Sequence, residues 1–169
     1  DKYLDLQDGD NLVTDKNELA MHNSYLFGQK VEGFISDHHK AYGSDTPFFL
    51  YYAMQMVHSP VSAPDIYRDR CHTPSGVDDD ETDDLNWNYC GLNVMLDEAV
   101  ANLTCVLDSY GYTDNTILIL ASDNGGDSSA IGSSYPFRGS KGSPWNGGVA
   151  ATAFIHSPLI ASKRQGKSY

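Results

Sequence analysis

The chain has 169 residues, enough for one domain with a substantial core, and its 40% hydrophobic and 20% charged content is typical of a globular protein. Its formal net charge of −12 argues against nucleic acid as a partner and would repel an anionic substrate, unless a metal ion or local cations overcome that field. Because no uninterrupted apolar run approaches about 18 residues, we expect no transmembrane segment.

The N-terminal segment DKYLDLQDGD has neither a basic start nor an apolar core, so we do not interpret it as a signal peptide. It contains no Met and begins in the middle of a pattern, so we expect the chain to be a piece of a longer protein. Residues 3–13 are predicted to be extended, with a turn at Asp8-Gly9-Asp10.

Apolar residues at helical spacing predict a helix over 24–38, capped by Asn23 or Ser24. The continuous apolar and aromatic run at 48–54 is typical of a strand covered on both faces. Residues 59–90 are predicted to be irregular, because they contain several prolines and the acidic run 78–84. That run lacks the alternating order and the glycine of an EF-hand loop, so we interpret it as a solvated loop.

The clearest helix signal covers 91–110, where apolar side chains form one wide stripe and Gly111 provides a stop. A buried strand is predicted at 116–122, followed by a Gly/Ser-rich loop over 124–148 and an extended segment over 149–155. Alternating helices and buried strands predict an α/β fold with a mostly parallel sheet flanked by helices.

In such a sheet ligands bind beyond the carboxyl ends of the strands. The loop carrying His58 and the loop carrying Asp123 and Asn124 are therefore expected on one rim. Carboxylate and amide oxygens suit Ca²⁺ or Mg²⁺, although Asp-Asn-Gly is also ordinary turn chemistry. His58 could exchange a proton or hold an anion, although a single histidine after a strand is often structural.

A third stretch, PFRGSKGSPWNGG at 136–148, places Arg138 and Lys141 among glycines in an acidic chain. Two cations in such a loop suit a sulfate or phosphate group, while a surface loop with scattered charge remains the alternative. Asn102-Leu103-Thr104 is an N-glycosylation sequon, which favours a secretory setting weakly.

Together these stretches resemble the sulfatase family, most closely animal arylsulfatases of the arylsulfatase B kind. The resemblance extends from about residue 24 to residue 160 in the family's order and spacing. It rests on PFFLYYAMQMVHSPVSAP (47–64), YCGLNVMLDEAVANLT (89–104), DNTILILASDNGG (114–126) and YPFRGSKGSPWNGGV (135–149).

The resemblance implies an alkaline-phosphatase-like α/β domain, of which residues 1–169 would be a central, incomplete part, and hydrolysis of a sulfate ester. It implies a divalent cation, Ca²⁺ with Mg²⁺ as the other choice, held in part by Asp123 and Asn124. His58 and Lys141 match catalytic residues that contact the sulfate, and Arg138 matches a supporting substrate-binding residue. The implied substrate is a sulfated small molecule or a glycosaminoglycan, and the implied location is lysosomal or secreted.

The family's nucleophile is a formylglycine, made from the cysteine of a Cys-x-Pro-x-Arg motif by the formylglycine-generating enzyme. Cys71-His72-Thr73-Pro74 has its proline one position too late and no arginine follows, so we interpret Cys71 as a disulfide partner of Cys90. The nucleophile and the first metal-binding aspartates are expected upstream of Asp1, so the isolated chain should be inactive.

One residue departs from the family pattern, because Asn146 stands where the family usually has Glu. Two other functions stay open: a phosphate or phosphonate ester hydrolase of the same superfamily, and a non-catalytic binder of sulfated glycans. The identity of the upstream nucleophile would separate these functions. The partner of Cys105 is also open.

Overall fold

The computed structural model describes residues 6–71, 81–128 and 131–167, apart from the side chains of residues 19, 20 and 81–83. The helices in this part of the chain are α1 (Lys16–Ala20), α2 (Asn23–Tyr42), α3 (Asp65–Arg68), α4 (Glu81–Ser109) and α5 (Asn146–Val149). The strands are β1 (Gln7–Asp8), β2 (Asn11–Leu12), β3 (Leu118–Ala121) and β4 (Ala153–His156), and short 3₁₀ turns cover Thr113–Asn115 and Ser162–Arg164.

The N-terminal hairpin confirms the predicted turn. Strands β1 and β2 pair antiparallel through Gln7↔Leu12 and Asp8↔Asn11. Gly9 has a φ of 60°, a left-handed conformation that glycine adopts without steric cost.

Helix α2 is longer than the sequence predicted and begins one residue earlier. Its cap is His22, whose Nδ1 accepts a hydrogen bond from the backbone N–H of Ser24 at 3.3 Å. The prediction of Asn23 or Ser24 as the cap was therefore wrong. An imidazole nitrogen can satisfy a free N–H of the first turn as a hydroxyl or an amide oxygen does.

Helix α4 begins at Glu81, well before the predicted start at residue 91. The interpretation of the acidic run as a loop was wrong for residues 81–84, which form the first turn of this helix. Acidic residues are favourable there because they face the positive end of the helix dipole. Residues 78–80 of the run and 72–74 of the Cys-His-Thr-Pro stretch lie outside the described residues. Helix α3 also lies inside the stretch predicted to be irregular.

Contacts among the helices build two hydrophobic clusters. The first, between α3 and α4, is Ala63, Tyr67, Leu92 and Met95, and the second, between α2 and the end of α4, is Ile35, Leu107 and Tyr112. Each large apolar side chain buried in this way contributes roughly 1.5–3 kcal/mol. The structure joins Cys71 to Cys90 in a disulfide, as the sequence interpretation expected.

The sheet differs from the prediction in its pairing. Strand β3 lies within the predicted 116–122 strand, but it pairs antiparallel with β4, from Leu118↔His156 to Ala121↔Ala153. Residues 48–54 belong to no strand, and Phe49 and Tyr51 are 89% and 82% exposed. An apolar run indicates that its side chains favour burial, but it does not indicate which element covers them. No described residues cover the side chains of Phe49 and Tyr51.

By length and composition alone, one helical stretch in the described part of the chain, Asp84–Ser109 in α4, could cross a membrane. This stretch does not stand out in the sequence as an uninterrupted apolar run, because Asp97 and Glu98 lie within it. One helix of this kind is a weak indication, since core helices of other proteins meet the same criterion. Helix α4 packs against both α2 and α3.

Candidate active site

The tip of β3 presents Asp123 and Asn124. Beyond the strand, the Ser122 N–H donates to the Thr152 carbonyl oxygen at 2.9 Å, which keeps the chain beside the segment that leads into β4. The Ser122 hydroxyl then donates to the Asn124 carbonyl oxygen at 2.8 Å. The Asp123 side chain is exposed and Asn124 is half-buried, so both can reach a ligand in the groove beyond the strand end.

Glycines hold this tip against the loop that follows it. The Gly125 N–H donates to the Gly148 carbonyl oxygen at 3.0 Å, and the Gly147 N–H donates to the Arg138 carbonyl oxygen at 2.8 Å. A Cβ atom on Gly125 would overlap the Gly147 carbonyl oxygen, and one on Gly147 would overlap that of Gly139. The loop segments therefore approach at backbone contact distance, which glycine permits because it has no Cβ.

The side chains of His58 and Lys141, which come from distant parts of the sequence, contact each other beside this loop. The Lys141 Nζ lies 3.2 Å from the His58 Nε2, across a sequence separation of 83. The other ring nitrogen, Nδ1, is 2.8 Å from the Ser59 carbonyl oxygen, which can only accept, so Nδ1 donates and carries the proton. The Nε2 atom is then free to accept from the lysine ammonium. A backbone bond from the Lys141 N–H to the Gly126 carbonyl oxygen, 2.9 Å, ties this pair to the β3 tip.

One broad, open groove connects the two pairs of residues. His58, Asp123, Asn124 and Lys141 all line it. A lysine ammonium and an imidazole at one point suit a tetrahedral anion such as sulfate, and an adjacent carboxylate and amide oxygen suit a hard divalent cation. Because the chain carries a strong net negative charge, local cations of this kind are what an anionic substrate would require.

The donor set for a metal is of the right type but small. Asp123 and Asn124 offer hard oxygen ligands, whereas Ca²⁺ takes about six to eight. Within residues 6–71, 81–128 and 131–167, no group of three or more His, Cys, Asp or Glu could hold a metal ion. These two residues therefore fit Ca²⁺ or Mg²⁺ as part of a larger ligand set.

Arg138 lies beside the groove rather than in its lining. Its guanidinium carbon is 3.8 Å from the centroid of the Trp145 ring, a cation–π stack. Ser134 supports the same loop from the other side, because its hydroxyl donates to the Gly147 carbonyl oxygen at 2.6 Å. Sequence reasoning missed the roles of Trp145 and Ser134, although an aromatic residue near an arginine in a glycine-rich loop was a usable signal.

Two other predicted positions lie away from the groove. Asn102 is on an exposed part of α4, so its side chain is accessible to a glycan, although within a helix rather than in a loop. Cys105 is a free, exposed cysteine on the same helix.

Comparison with known proteins decides the family. The model of the family described as Sulfatase matches residues 2–169. The chain belongs to the sulfatase family. Arylsulfatase J of Mus musculus is 36% identical over 159 residues, which cover 94% of this chain and 25% of that protein. Steryl-sulfatase of Rattus norvegicus is 27% identical over 125 residues, covering 69% of this chain and 19% of that protein.

Solved structures support the same sulfatase fold. A crystal structure of Ps i-CgsB in complex with k-i-k-neocarrahexaose superposes with a TM-score of 0.72 at 26% identity, covering 89% of this chain and 30% of that one. A second structure, Ps i-CgsB, gives a TM-score of 0.74 at 24% identity and shows the fold alone. The alkaline-phosphatase-like α/β fold predicted for this chain is thus confirmed, and the chain forms part of that domain. It spans about a fifth to a quarter of the length of the curated sulfatases it matches.

Proposed function

We propose that this chain forms the sulfate-binding side of the active site of a metal-assisted sulfuric ester hydrolase of the arylsulfatase type. The observation that carries the proposal is the 3.2 Å contact between Lys141 Nζ and His58 Nε2 in a member of the sulfatase family. Asp123 and Asn124 line the same groove as His58 and Lys141, which supports a metal site within that groove.

The two basic side chains would have different roles in the hydrolysis of the ester. The Lys141 ammonium would bind a sulfate oxygen and stabilise the negative charge that grows as the S–O bond breaks. The His58 Nδ1–H donates a hydrogen bond to the Ser59 carbonyl oxygen. This hydrogen bond fixes the ring with Nε2 toward the groove. To act as the acid, Nε2 would first take up a proton from solvent in place of the hydrogen bond it accepts from the Lys141 ammonium, and it would then give that proton to the oxygen of the leaving alcohol.

Asp123 and Asn124 would hold a Ca²⁺ or Mg²⁺ ion together with ligands from outside this chain. When bound, the ion supplies positive charge that polarises the sulfate group. The nucleophile is proposed to be a formylglycine outside these 169 residues, produced by the formylglycine-generating enzyme. The chain's own contribution is therefore to bind, orient and protonate rather than to attack.

The proposed substrate is a sulfated small molecule or a sulfated glycosaminoglycan. We also propose a substrate preference like that of arylsulfatase B. We propose a lysosomal or secreted location. The disulfide between Cys71 and Cys90 supports it, because disulfides persist in oxidising compartments. The exposed sequon at Asn102, which we propose is glycosylated, supports the same setting.

The test is turnover of 4-nitrophenyl sulfate by the full-length protein, made in cells that contain the formylglycine-generating enzyme. Lys141→Met should lower kcat/KM by about 10²–10³, the usual cost of losing one group that stabilises transition-state charge. The matched control is Lys163→Met, because Lys163 is an exposed lysine in a 3₁₀ turn away from the groove, and it should leave kcat/KM unchanged.

Other outcomes would replace the proposal. Faster turnover of 4-nitrophenyl phosphate than of the sulfate by the unsubstituted protein would favour a phosphate ester hydrolase. Binding of a sulfated glycan without turnover of either ester would favour a non-catalytic binder.

A further inference from the structure

We propose that Arg138 is a positioning residue, which through its stack on Trp145 holds Lys141 in place against His58 and does not itself contact the substrate. This inference rests on the proposed function, because it assigns Arg138 a role in that same site. It differs from the expectation that Arg138 binds substrate directly.

The first argument is where the guanidinium lies. It stacks 3.8 Å from the centroid of the Trp145 ring, and the groove lined by Lys141 and His58 does not include Arg138. Trp145 is 48% exposed with the guanidinium in place, so the stack lies at the surface of the loop rather than in the core. This contact engages the guanidinium with the indole ring rather than with the groove.

The second argument is the shape of the loop that carries Lys141. The chain leaves Arg138, turns at Gly139 with a φ of 84°, and returns to Gly147, whose N–H donates to the Arg138 carbonyl oxygen at 2.8 Å. The base of the loop is thus closed twice, by this backbone bond and by the Arg138–Trp145 stack. Lys141 lies between the two ends of the closed loop.

The third argument is that Lys141 has little packing of its own. Its side chain is exposed, and its described contacts are the bond from its N–H to the Gly126 carbonyl oxygen and the approach of Nζ to His58. A long flexible side chain loses entropy when it is held at one point, so a fixed backbone is needed to place its amine. The stack at the loop base supplies part of that restraint.

The experiment is a set of double-mutant cycles in the full-length protein, with kcat and KM measured on 4-nitrophenyl sulfate. Arg138→Ala and Trp145→Ala should each lower kcat about tenfold, because a displacement of about 1 Å can cost up to a hundredfold. The double variant should be no worse than the poorer single variant, since both remove one stack. Trp145→Phe keeps an aromatic face and should restore most of kcat.

A second cycle tests whether Arg138 acts through Lys141. In the Lys141→Met background, Arg138→Ala should have no further effect on kcat. Arg164→Ala is the matched control, because Arg164 is an exposed arginine in the last 3₁₀ turn, and it should change neither constant. Near-ultraviolet circular dichroism identifies any variant that fails to fold, in which case Arg138→Lys takes its place and should give an intermediate kcat.

Two results would overturn the inference. A rise in KM caused by Arg138→Ala but not by Trp145→Ala would make Arg138 a substrate contact, as would a tenfold loss that persists in the Lys141→Met background. The proposed function fails separately, if Lys141→Met alone leaves kcat/KM unchanged.

Discussion

The helical part of the molecule and the glycine-rich rim, defined here as residues 122–128 and 131–148, are stabilised by different kinds of contact. In the helical part, side chains such as Met95 and Ile35 are almost fully buried in hydrophobic clusters, and a disulfide joins Cys71, three residues after α3, to Cys90 in α4. In the rim, backbone atoms of glycine-containing segments lie against one another and exchange hydrogen bonds. The first arrangement tolerates changes of shape at the surface, whereas the second excludes any side chain at its contact points.

This difference follows the division of roles along the chain. The rim carries Asp123, Asn124 and Lys141, whose positions relative to one another matter for the proposed chemistry. Backbone hydrogen bonds between short loops fix such positions with few degrees of freedom, because no flexible side chain separates the two segments. The helical part instead provides a stable platform beneath the loop that carries His58.

The largest expected effect is a contrast between the same substitution in the two regions. Gly147→Ala would drive a Cβ into the Gly139 carbonyl oxygen, so the rim must open and kcat should fall at least about a hundredfold in the full-length protein. Gly33→Ala in α2 has nothing within 4 Å of the added Cβ and should raise stability by about 0.5–1 kcal/mol. Turnover of 4-nitrophenyl sulfate and thermal unfolding measure the two effects.

The contrast fails if the two variants behave alike. Activity of Gly147→Ala near that of the unsubstituted protein would show that the rim accommodates a side chain. Destabilisation by Gly33→Ala would show that α2 is crowded at that position.

A smaller effect is expected from a polar network in the helical part. Tyr67 donates to Glu98 at 2.6 Å and Arg70 donates to the other carboxylate oxygen at 2.9 Å, and these hydrogen bonds, that from Tyr67 first, lower the pKa of Glu98. The pKa of Glu98 is lower in the folded state than its unfolded-state value of about 4.3, so the ionised carboxylate stabilises the fold above that pH. This stabilisation is lost as the pH falls through the folded-state pKa. With the carboxylate 40% exposed, solvent screening keeps the contribution below about 1 kcal/mol.

Glu98→Gln should therefore flatten the acid limb of the stability curve without changing kcat. Thermal unfolding between about pH 3 and pH 6 would measure the change in the acid limb. The control is Asp97→Asn, because Asp97 is an exposed carboxylate on the same helix. An acid limb unchanged by Glu98→Gln would show that this network does not contribute to the pH dependence.

Local patterns in the sequence predicted the elements that depend on local signals. The apolar stripe of α4, the stop at Gly111 and the turn at Gly9 were all visible, because side-chain periodicity and left-handed glycines act within a few residues. The sequence did not predict the start of α4, because an acidic run is compatible with both a solvated loop and the first turn of a helix. The apolar run at 48–54 predicts a buried strand, but these residues form none, because composition cannot specify the partner strand.

The candidate site was accessible from the sequence only through family resemblance. No spacing rule brings His58 to Lys141 across 83 positions, since that contact depends on how the loops fold back over the sheet. The Arg138–Trp145 stack was missed for a different reason, because Arg138 was interpreted as an anion-binding residue and the nearby Trp145 was not considered as its partner.

The most direct test of the central claim, that His58 and Lys141 form one anion-binding unit, is the affinity of the full-length protein for inorganic sulfate by titration calorimetry. His58→Gln and Lys141→Met should each weaken binding about tenfold, and the double variant should be no weaker than the poorer single variant, because the two side chains act on one anion. Unchanged affinity in both single variants would contradict the account.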